Sequence, residues 1–193
     1  MQGKRVGRRR FALYAIRMGR LKRTVALVGM MGAGKSSLGR RLAAKLEVPF
    51  KDADAEIEAA AGCSISEIFE RYGEAAFRDC ERKVIARLLG EAPHVLATGG
   101  GAFIDPAIRE RIQSSALSVW INVPVEVLEE RVSRRDTRPL LRNGNAHEIL
   151  TRLLAERETI YAQADLTVAT EEGPHGASVS RILAALRDKG MLE

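Results

Sequence analysis

The chain has 193 residues, of which 46% are hydrophobic, and its formal net charge is +6. This length and composition fit one compact domain with a multi-strand core and exclude a wholly disordered chain. No apolar run approaches the roughly 20 residues that span a bilayer, so no transmembrane helix is predicted. Cys63 and Cys80 are too few for a disulfide framework and lack the spacing of a zinc site, which fits a reducing compartment.

The positive charge is concentrated at the N-terminus. Residues 1–23 carry nine Lys and Arg and no acid, whereas the other 22 Lys and Arg are outnumbered by 25 Asp and Glu. This segment has three interpretations: a solvated tail, a targeting presequence, or an over-extended start whose true initiator is Met18. We expect residues 1–23 to form a basic, disordered leader and residues 24–193 a single domain, located in the cytoplasm unless the leader directs it to an organelle.

Strand and helix signals alternate from residue 24 onward. A β-rich run over 24–28 passes through a glycine-rich turn into a helical pattern over 36–46, in which leucine recurs at every fourth position. A short strand signal at 48–50 then leads to a helix over 53–61, which ends at Gly62.

The next signals predict two helices in succession. Ser64 and Glu67 match a capping box, so a helix is expected to begin there and to close near Gly73, before a longer helix over 74–89. The predicted elements that follow are a strand over 94–98, a helix over 107–113, a strand over 117–122, helices over 125–134 and 146–161, a strand over 166–168 and a helix over 177–186. The polar, turn-rich stretch 135–145 has the profile of a mobile loop.

This alternation predicts an α/β fold, with a parallel sheet covered by helices on both faces. Ligands of such folds bind beyond the carboxyl ends of the strands. Each motif described below directly follows a predicted strand or lies on the helix after one.

Residues 29–36, GMMGAGKS, match the phosphate-binding pattern G-x-x-x-x-G-K-[ST] at every position. The glycines let backbone N–H groups wrap a triphosphate at a helix N-terminus. Lys35 offers a charge to the β- and γ-phosphates, and Ser36 offers a hydroxyl to Mg²⁺. An ordinary glycine turn would explain the glycines but not the Lys35-Ser36 pair, so the loop predicts nucleotide binding and leaves the phosphate acceptor open.

Charged residues near the second strand and on a later helix indicate an acceptor site. Asp52 is placed to hold Mg²⁺ through water, and Asp54 faces the other way, towards acceptor hydroxyls, although an Asp at a strand end also serves as a helix cap. Arg78 and Glu81 are neighbours on one helix face. They form either a solvated ion pair or a rigid fork for a substrate carboxylate.

Three consecutive glycines, Gly99–Gly101, follow the third strand. Glycines at such a position cost backbone entropy and pack nothing. We therefore expect something to lie close against this backbone, preferably a bound ligand, with a tight strand-to-helix turn as the alternative.

Together these motifs resemble the shikimate kinases, in the nucleoside-monophosphate-kinase-like branch of P-loop folds. The resemblance runs in order from about Thr24 to the C-terminal helix, through GMMGAGKSS, FKDAD, ISEIF, FRDCE, GGG, RDTRPLL and LLAERETIY. It implies a three-layer P-loop kinase fold with a five-stranded parallel sheet, helices on both faces and a mobile lid at about 135–147. It also implies ATP-dependent phosphorylation of the 3-hydroxyl of shikimate, a step of chorismate and aromatic amino acid biosynthesis, with Mg²⁺ as cofactor.

The same resemblance implies roles for single residues in the acceptor site. Asp54 would bind the acceptor hydroxyls, Arg78 and Arg157 the carboxylate, and Gly100 the substrate through its backbone. The implied catalytic residues are Lys35, Asp54 and Arg138, of which Asp54 acts first by orienting the hydroxyl.

On the nucleotide side, the resemblance implies that Mg²⁺ lies at Ser36 and Asp52. Arg138 would close on the ATP phosphates, and Arg131 would lie near the adenine. The implied nucleotide-binding residues are Gly32, Ala33, Gly34, Lys35, Ser36, Ser37, Arg131 and Arg138.

The sequence departs from the family pattern in two places. Ala97, before Thr98, offers no hydroxyl or acid to assist Mg²⁺. The stretch 170–175 lacks the arginine often found in the adenine-contacting loop, so no residue is assigned there.

Two other functions fit parts of the sequence. A related kinase for gluconate would share the phosphate loop but would not need FRDCE, GGG and Arg157 together. The basic leader suggests a non-catalytic nucleotide- or nucleic-acid-binding module, but Phe11 and Tyr14 are the only aromatics interleaved with its charges. We expect ATP and shikimate as partners, no nucleic-acid or membrane partner, and a monomer.

Overall fold

A computed structural model of the protein describes residues 21–133, 146–170 and 176–192. The strands in these ranges are β1 (Thr24–Val28), β2 (Phe50–Asp52), β3 (Val95–Ala97), β4 (Ala116–Asn122) and β5 (Leu166–Ala169). The helices are α1 (Lys35–Leu46), α2 (Ala53–Ala61), α3 (Ile65–Leu89), α4 (Pro106–Ser115), α5 (Val125–Ser133), α6 (Ala146–Tyr161) and α7 (Gly176–Asp188). A short 3₁₀ turn, Ala102–Ile104, precedes α4.

The five described strands form one parallel sheet in the order β2-β3-β1-β4-β5. β1 lies at the centre and all five of its residues are buried, as expected for a strand covered on both faces. The chain leaves β1 towards one edge of the sheet and leaves β3 towards the other. The loops after these two neighbouring strands therefore flank a crevice at the carboxyl edge, where α/β folds bind ligands.

The predicted α/β fold with a five-stranded parallel sheet is confirmed. Most element bounds differ from the predicted ones by one or two residues, as at β2, which was predicted at 48–50 but lies at Phe50–Asp52. Pro49 has no N–H to donate, and its carbonyl accepts from Val95 N before the regular pairing begins at Phe50.

The capping box at the start of α3 is present in both directions. Ser64 Oγ accepts a hydrogen bond from Glu67 N at 3.2 Å, and a carboxylate oxygen of Glu67 accepts from Ser64 N at 2.9 Å. The helix is interrupted at Gly73, whose φ of 78° and ψ of 175° lie outside the helical range. The two predicted helices are thus joined through this glycine, and the second one carries Arg78 and Glu81.

The packed body begins before β1. Leu21 is buried and forms an antiparallel bridge with Leu192, while Lys22 N donates to Met191 O at 3.0 Å. The end of the leader was predicted at residue 23 from charge alone. Charge gives no information on a backbone pairing between residues 21 and 192. Within the described ranges, no helix is both long and apolar enough to cross a membrane.

Two expectations fall partly outside the described residues. Residues 1–20 of the predicted leader are not among them, nor are residues 134–145, which include most of the predicted lid at 135–147. Ala146 and His147, the last two residues of that lid, form the first turn of α6.

The capping box yields a stability prediction. Ser64→Ala removes the acceptor for Glu67 N and is expected to lower the free energy of unfolding by about 1 kcal/mol. Urea unfolding measures this loss. Ser66→Ala, at an exposed position in the same first turn, is the control and should change stability by less than about 0.5 kcal/mol. Equal losses in the two variants would contradict a capping role for Ser64.

Candidate active site

The phosphate loop connects β1 to α1 and requires glycine for steric reasons. Gly29, Gly32 and Gly34 have φ values of 131°, 81° and 87°, a region that other residues rarely adopt. A Cβ on Gly29 would lie 2.8 Å from Ile121 O, and one on Gly32 would lie 2.8 Å from a methyl of Val132. The loop is therefore held tightly between β4 and α5, with the N-terminus of α1 facing the space above it.

The two polar residues of the loop have partners within the protein. Lys35 is buried, and its Nζ donates to the carbonyls of Gly29 and Met30 at 2.8 and 2.9 Å. Ser36 Oγ donates to Asp52 Oδ2 at 2.6 Å. A hydroxyl and a carboxylate thus meet beside the loop, where a hard cation that bridges phosphates would be bound.

Asp52 also caps a helix. Its Oδ1 accepts a hydrogen bond from Asp54 N at 3.2 Å, so that it is the N-cap of α2. The two interpretations of Asp52, as a cap and as a metal residue, are therefore compatible, because each carboxylate oxygen faces a different group. Asp54 itself is exposed, in the first turn of α2.

The turn Gly99–Gly101 lies against other parts of the protein at each of its three residues. A Cβ on Gly99 would lie 3.0 Å from Asp54 Oδ1 and 3.0 Å from Glu81 Oε1, and one on Gly100 would lie 3.0 Å from Met31 N. On Gly101 it would lie 3.0 Å from both terminal nitrogens of Arg78. The close approach that the glycines indicate is thus made by two carboxylates, the phosphate loop and a guanidinium group.

Two carboxylates of α3 accept hydrogen bonds from the Arg78 guanidinium. Its Nη1 donates to Glu81 Oε2 at 2.7 Å, while Nε and Nη2 donate to Glu74 Oε1 at 3.3 and 3.2 Å. The Glu81 side chain is only 1% exposed, which excludes a solvated ion pair and favours the rigid fork. Although burial opposes ionisation of Arg78, the hydrogen bonds and charges of Glu81 and Glu74 together raise its pKa.

Glu81 is an unusual carboxyl group for its position. Among the described residues its Oε1 has no hydrogen-bond partner, and this buried atom points at Gly99. Burial raises the pKa of Glu81, and the negative charges of Asp54 and Asp105 add to that rise, whereas Arg78 opposes it. Burying this carboxyl group costs desolvation free energy. Its presence here therefore indicates a role other than stabilising the fold.

Arg157 reaches the same turn from α6. Its positive charge acts on the hydroxyl of Tyr161, and that hydroxyl donates to Gly100 O. Burial raises the pKa of Tyr161, and Arg157 opposes this rise. Arg157 is half-buried, and its link to the glycine turn runs through Tyr161. Tyr161 was not singled out from the sequence, although its position four residues after Arg157, on the same helix face, was a usable signal.

The nucleotide side is described in part. Arg131 Nη1 donates to Ala33 O at 3.3 Å, so Arg131 lies against the phosphate loop. Thr98 Oγ1 donates to Leu27 O at 3.0 Å, which ties this hydroxyl to β1. Arg138, and residues 171–175 of the loop in which an adenine contact was sought, lie outside the described residues.

The structure brings the predicted residues together in two adjoining groups. Asp54 and Arg78 lie at the glycine turn that contains Gly100, with Arg157 linked to it through Tyr161, whereas Asp52 lies beside Lys35 and Ser36 at the phosphate loop. The groups meet where Gly100 approaches Met31 N. Such a site can bind a small hydroxylated acid through arginines and place one hydroxyl beside a nucleotide phosphate.

The buried carboxyl group yields a pH prediction. Because the pKa of Glu81 is raised above its ordinary value of 4.5, the folded protein binds this proton more tightly than the unfolded chain does. The stability that Glu81 contributes is thus fully present below that value and is lost as the pH rises through the folded-state pKa. Glu81→Gln does not titrate, so the wild type should lose stability relative to this variant from pH 4.5 upward.

Urea unfolding at several pH values measures this difference. Glu110→Gln, at an exposed position on α4, is the control and should follow the wild type at each pH. Parallel curves for the wild type and Glu81→Gln would show that Glu81 has no raised pKa.

Comparisons with known proteins show the family of the chain. The shikimate kinase family model matches residues 31–187. The shikimate kinase of Paramagnetospirillum magneticum is 58% identical over 169 residues, which cover 87% of this chain and 86% of that protein. The shikimate kinase of Caulobacter vibrioides is 57% identical over 165 residues, covering 86% of this chain and 82% of that protein.

Solved structures give the same result. Shikimate kinase from Acinetobacter baumannii in complex with shikimate superposes with a TM-score of 0.83 at 38% identity, covering 86% of this chain and 94% of that one. Shikimate kinase from Aquifex aeolicus superposes with a TM-score of 0.77 at 35% identity, covering 86% and 98%. With the family model matching most of its length and relatives more than 50% identical, the chain belongs to the shikimate kinase family.

Proposed function

We propose that the chain transfers the γ-phosphoryl group of ATP to the 3-hydroxyl of shikimate, giving shikimate 3-phosphate and ADP in chorismate and aromatic amino acid biosynthesis. The observation that supports this most is the position of Arg78, which Glu81 and Glu74 hold against Gly101 at the turn that adjoins the phosphate loop. The names of the relatives and the shikimate complex of one solved homologue agree with it.

On the acceptor side, Arg78 and Arg157 bind the carboxylate of the acid. Arg78 offers a planar fork that suits bidentate binding, and its orientation is restricted before the substrate arrives. Asp54 takes hydrogen bonds from the ring hydroxyls, and Gly100 contacts the substrate through its backbone. Two charged contacts and one hydroxyl contact would fix the ring in one orientation.

On the donor side, the backbone from Gly32 to Ser37 wraps the phosphates at the start of α1. Lys35 Nζ turns from the carbonyls of Gly29 and Met30 to the β- and γ-phosphates. Arg131 lies near the adenine end of the nucleotide, and Arg138 closes on the phosphates. These positive groups stabilise the charge that spreads over the transferring group.

In the transfer, the 3-hydroxyl oxygen forms a bond to the γ-phosphorus while the bond between that phosphorus and the β–γ bridging oxygen breaks. The electrons of the broken bond leave with ADP. Asp54 orients the hydroxyl and accepts its proton, a role that requires little basicity when the transition state is loose. The predicted lid at 135–147 would exclude water from this step.

The residues beside the phosphate loop fit Mg²⁺. Ser36 Oγ and Asp52 Oδ2 lie 2.6 Å apart, and both are hard oxygen donors. Ser36 is proposed to bind the ion directly and Asp52 to hold it through water. When bound, Mg²⁺ neutralises charge on the β- and γ-phosphate oxygens.

The chain is further proposed to act as a monomeric cytoplasmic enzyme, whose kinase domain is residues 24–193 together with Leu21 and Lys22, which pair with residues 191 and 192. No nucleic-acid partner is proposed, because residues 24–193 carry fewer Lys and Arg (22) than Asp and Glu (25). For that leader the three interpretations given above remain, including direction to an organelle.

An assay of ADP release tests the proposed function. With Mg-ATP, the wild type is expected to turn over shikimate but neither gluconate nor quinate. Arg78→Ala is expected to lower kcat/KM for shikimate by about 10- to 100-fold, since it removes charge-assisted hydrogen bonds worth about 1.5–3 kcal/mol.

Arg87→Ala is the matched control. Arg87 lies on the same helix, nine residues after Arg78, and the substitution breaks its ion pairs with Glu56 and Glu91. Its kcat/KM should stay within about twofold of the wild type. Turnover of gluconate in place of shikimate would favour the related sugar-acid kinase, and salt-sensitive DNA binding without turnover would favour the binding module.

A further inference from the structure

Tyr161, at the end of α6, has a buried hydroxyl group to which no function has been given above. The residue is 0% exposed, and its hydroxyl donates to Gly100 O. Its ring stacks on Trp120 with the centroids 5.9 Å apart, and its oxygen lies 3.9 Å from Met30 Sδ. The ring therefore packs against β4 and lies beside the phosphate loop. Its hydroxyl has little freedom to move as a result.

The hydrogen bond to Gly100 restricts a peptide that glycine would otherwise leave free to rotate. The C=O of Gly100 and the N–H of Gly101 belong to one planar unit. A hydrogen bond that holds the Gly100 carbonyl therefore also holds the Cα of Gly101. The Arg78 guanidinium lies beside that residue. Met31 N lies 3.0 Å from the position that a Cβ on Gly100 would take, so the phosphate loop approaches this residue closely as well.

The same hydroxyl is linked to Arg157. The two residues are four apart on α6 and therefore lie on one helix face. The positive charge of Arg157 acts on the Tyr161 hydroxyl and opposes the rise of its pKa. A tyrosine hydroxyl can accept from a guanidinium while it donates to a carbonyl, so this one hydroxyl can serve both Arg157 and the turn that supports Arg78.

We propose that Tyr161 is a positioning residue for the acceptor, whose hydroxyl sets the Gly100 peptide and Arg157 in one arrangement and thereby fixes the spacing of the two arginines. The inference rests on the proposed function, in which both arginines bind the carboxylate of shikimate. Tyr161 touches neither ATP nor shikimate in this account. Its contribution therefore concerns the acid and not the nucleotide.

Tyr161→Phe tests this role, because it keeps the ring on Trp120 and removes only the hydroxyl. We expect the KM for shikimate to rise about five- to tenfold, the range of one hydrogen bond, with the KM for ATP and kcat within about twofold. A purely structural role would change both KM values together or neither. Either of those results would overturn the proposal.

Ser118→Ala is the control for lost stability. It removes another buried hydroxyl, which donates to Asp165 Oδ2 at 2.7 Å between β4 and the start of β5, away from the glycine turn. This variant should be less stable than the wild type and yet keep both KM values. The wild-type arm tests the proposed function separately, since absence of shikimate turnover there would overturn the function and this inference with it.

A measurement on the intact wild type keeps the proposal testable if Tyr161→Phe fails to fold. The chain has three tyrosines, so a spectrum of protein labelled with ¹³C at tyrosine Cζ has few signals. Saturating shikimate is expected to shift the signal of the one buried tyrosine among the described residues, because Arg157, whose charge acts on that hydroxyl, binds the acid. ADP alone should leave that signal in place, and a spectrum unchanged by shikimate would overturn the proposal.

Discussion

The acceptor side of the site depends on one steric constraint at Gly99–Gly101, where a Cβ on each residue would stand only 3.0 Å from a neighbouring group. Because no Cβ is present, carboxylates from α2 and α3, the phosphate loop and the Arg78 guanidinium all approach within contact distance of one short turn. The carboxyl edge of a parallel sheet brings these elements to the same place. The absence of three side chains lets them meet.

The charges around this turn serve orientation at the expense of stability. Glu81 is buried with one oxygen lacking a hydrogen bond, an arrangement that ordinary folding would select against. It holds Arg78 in one direction before any ligand arrives, and a guanidinium held in this way loses little entropy when it binds a carboxylate. Tyr161 would likewise hold Arg157 in one orientation before the acid binds. The site is thus built in advance by residues that do not themselves need to contact the acid.

The parts that could be predicted from sequence are those in which neighbours along the chain interact. The phosphate loop, the capping box of Ser64 and Glu67, and the pairing of Arg78 with Glu81 all depend on residues within eight positions of each other. Burial of Glu81 and the strand order depend on packing between distant segments, which a local pattern does not record. The same holds for Tyr161, whose partner Gly100 is 61 residues away.

The central claim is that the glycine turn sets the position of Arg78 and so decides recognition of the acid. Calorimetric titration of shikimate into Gly101→Ala tests it most directly, because the new methyl group would stand 3.0 Å from the guanidinium nitrogens. We predict about tenfold weaker shikimate binding with ADP binding unchanged. The control is Gly90→Ala, which should keep full shikimate affinity because Gly90 has an ordinary helical φ of −86° and lies at the far end of α3. Unchanged shikimate affinity in Gly101→Ala would contradict it.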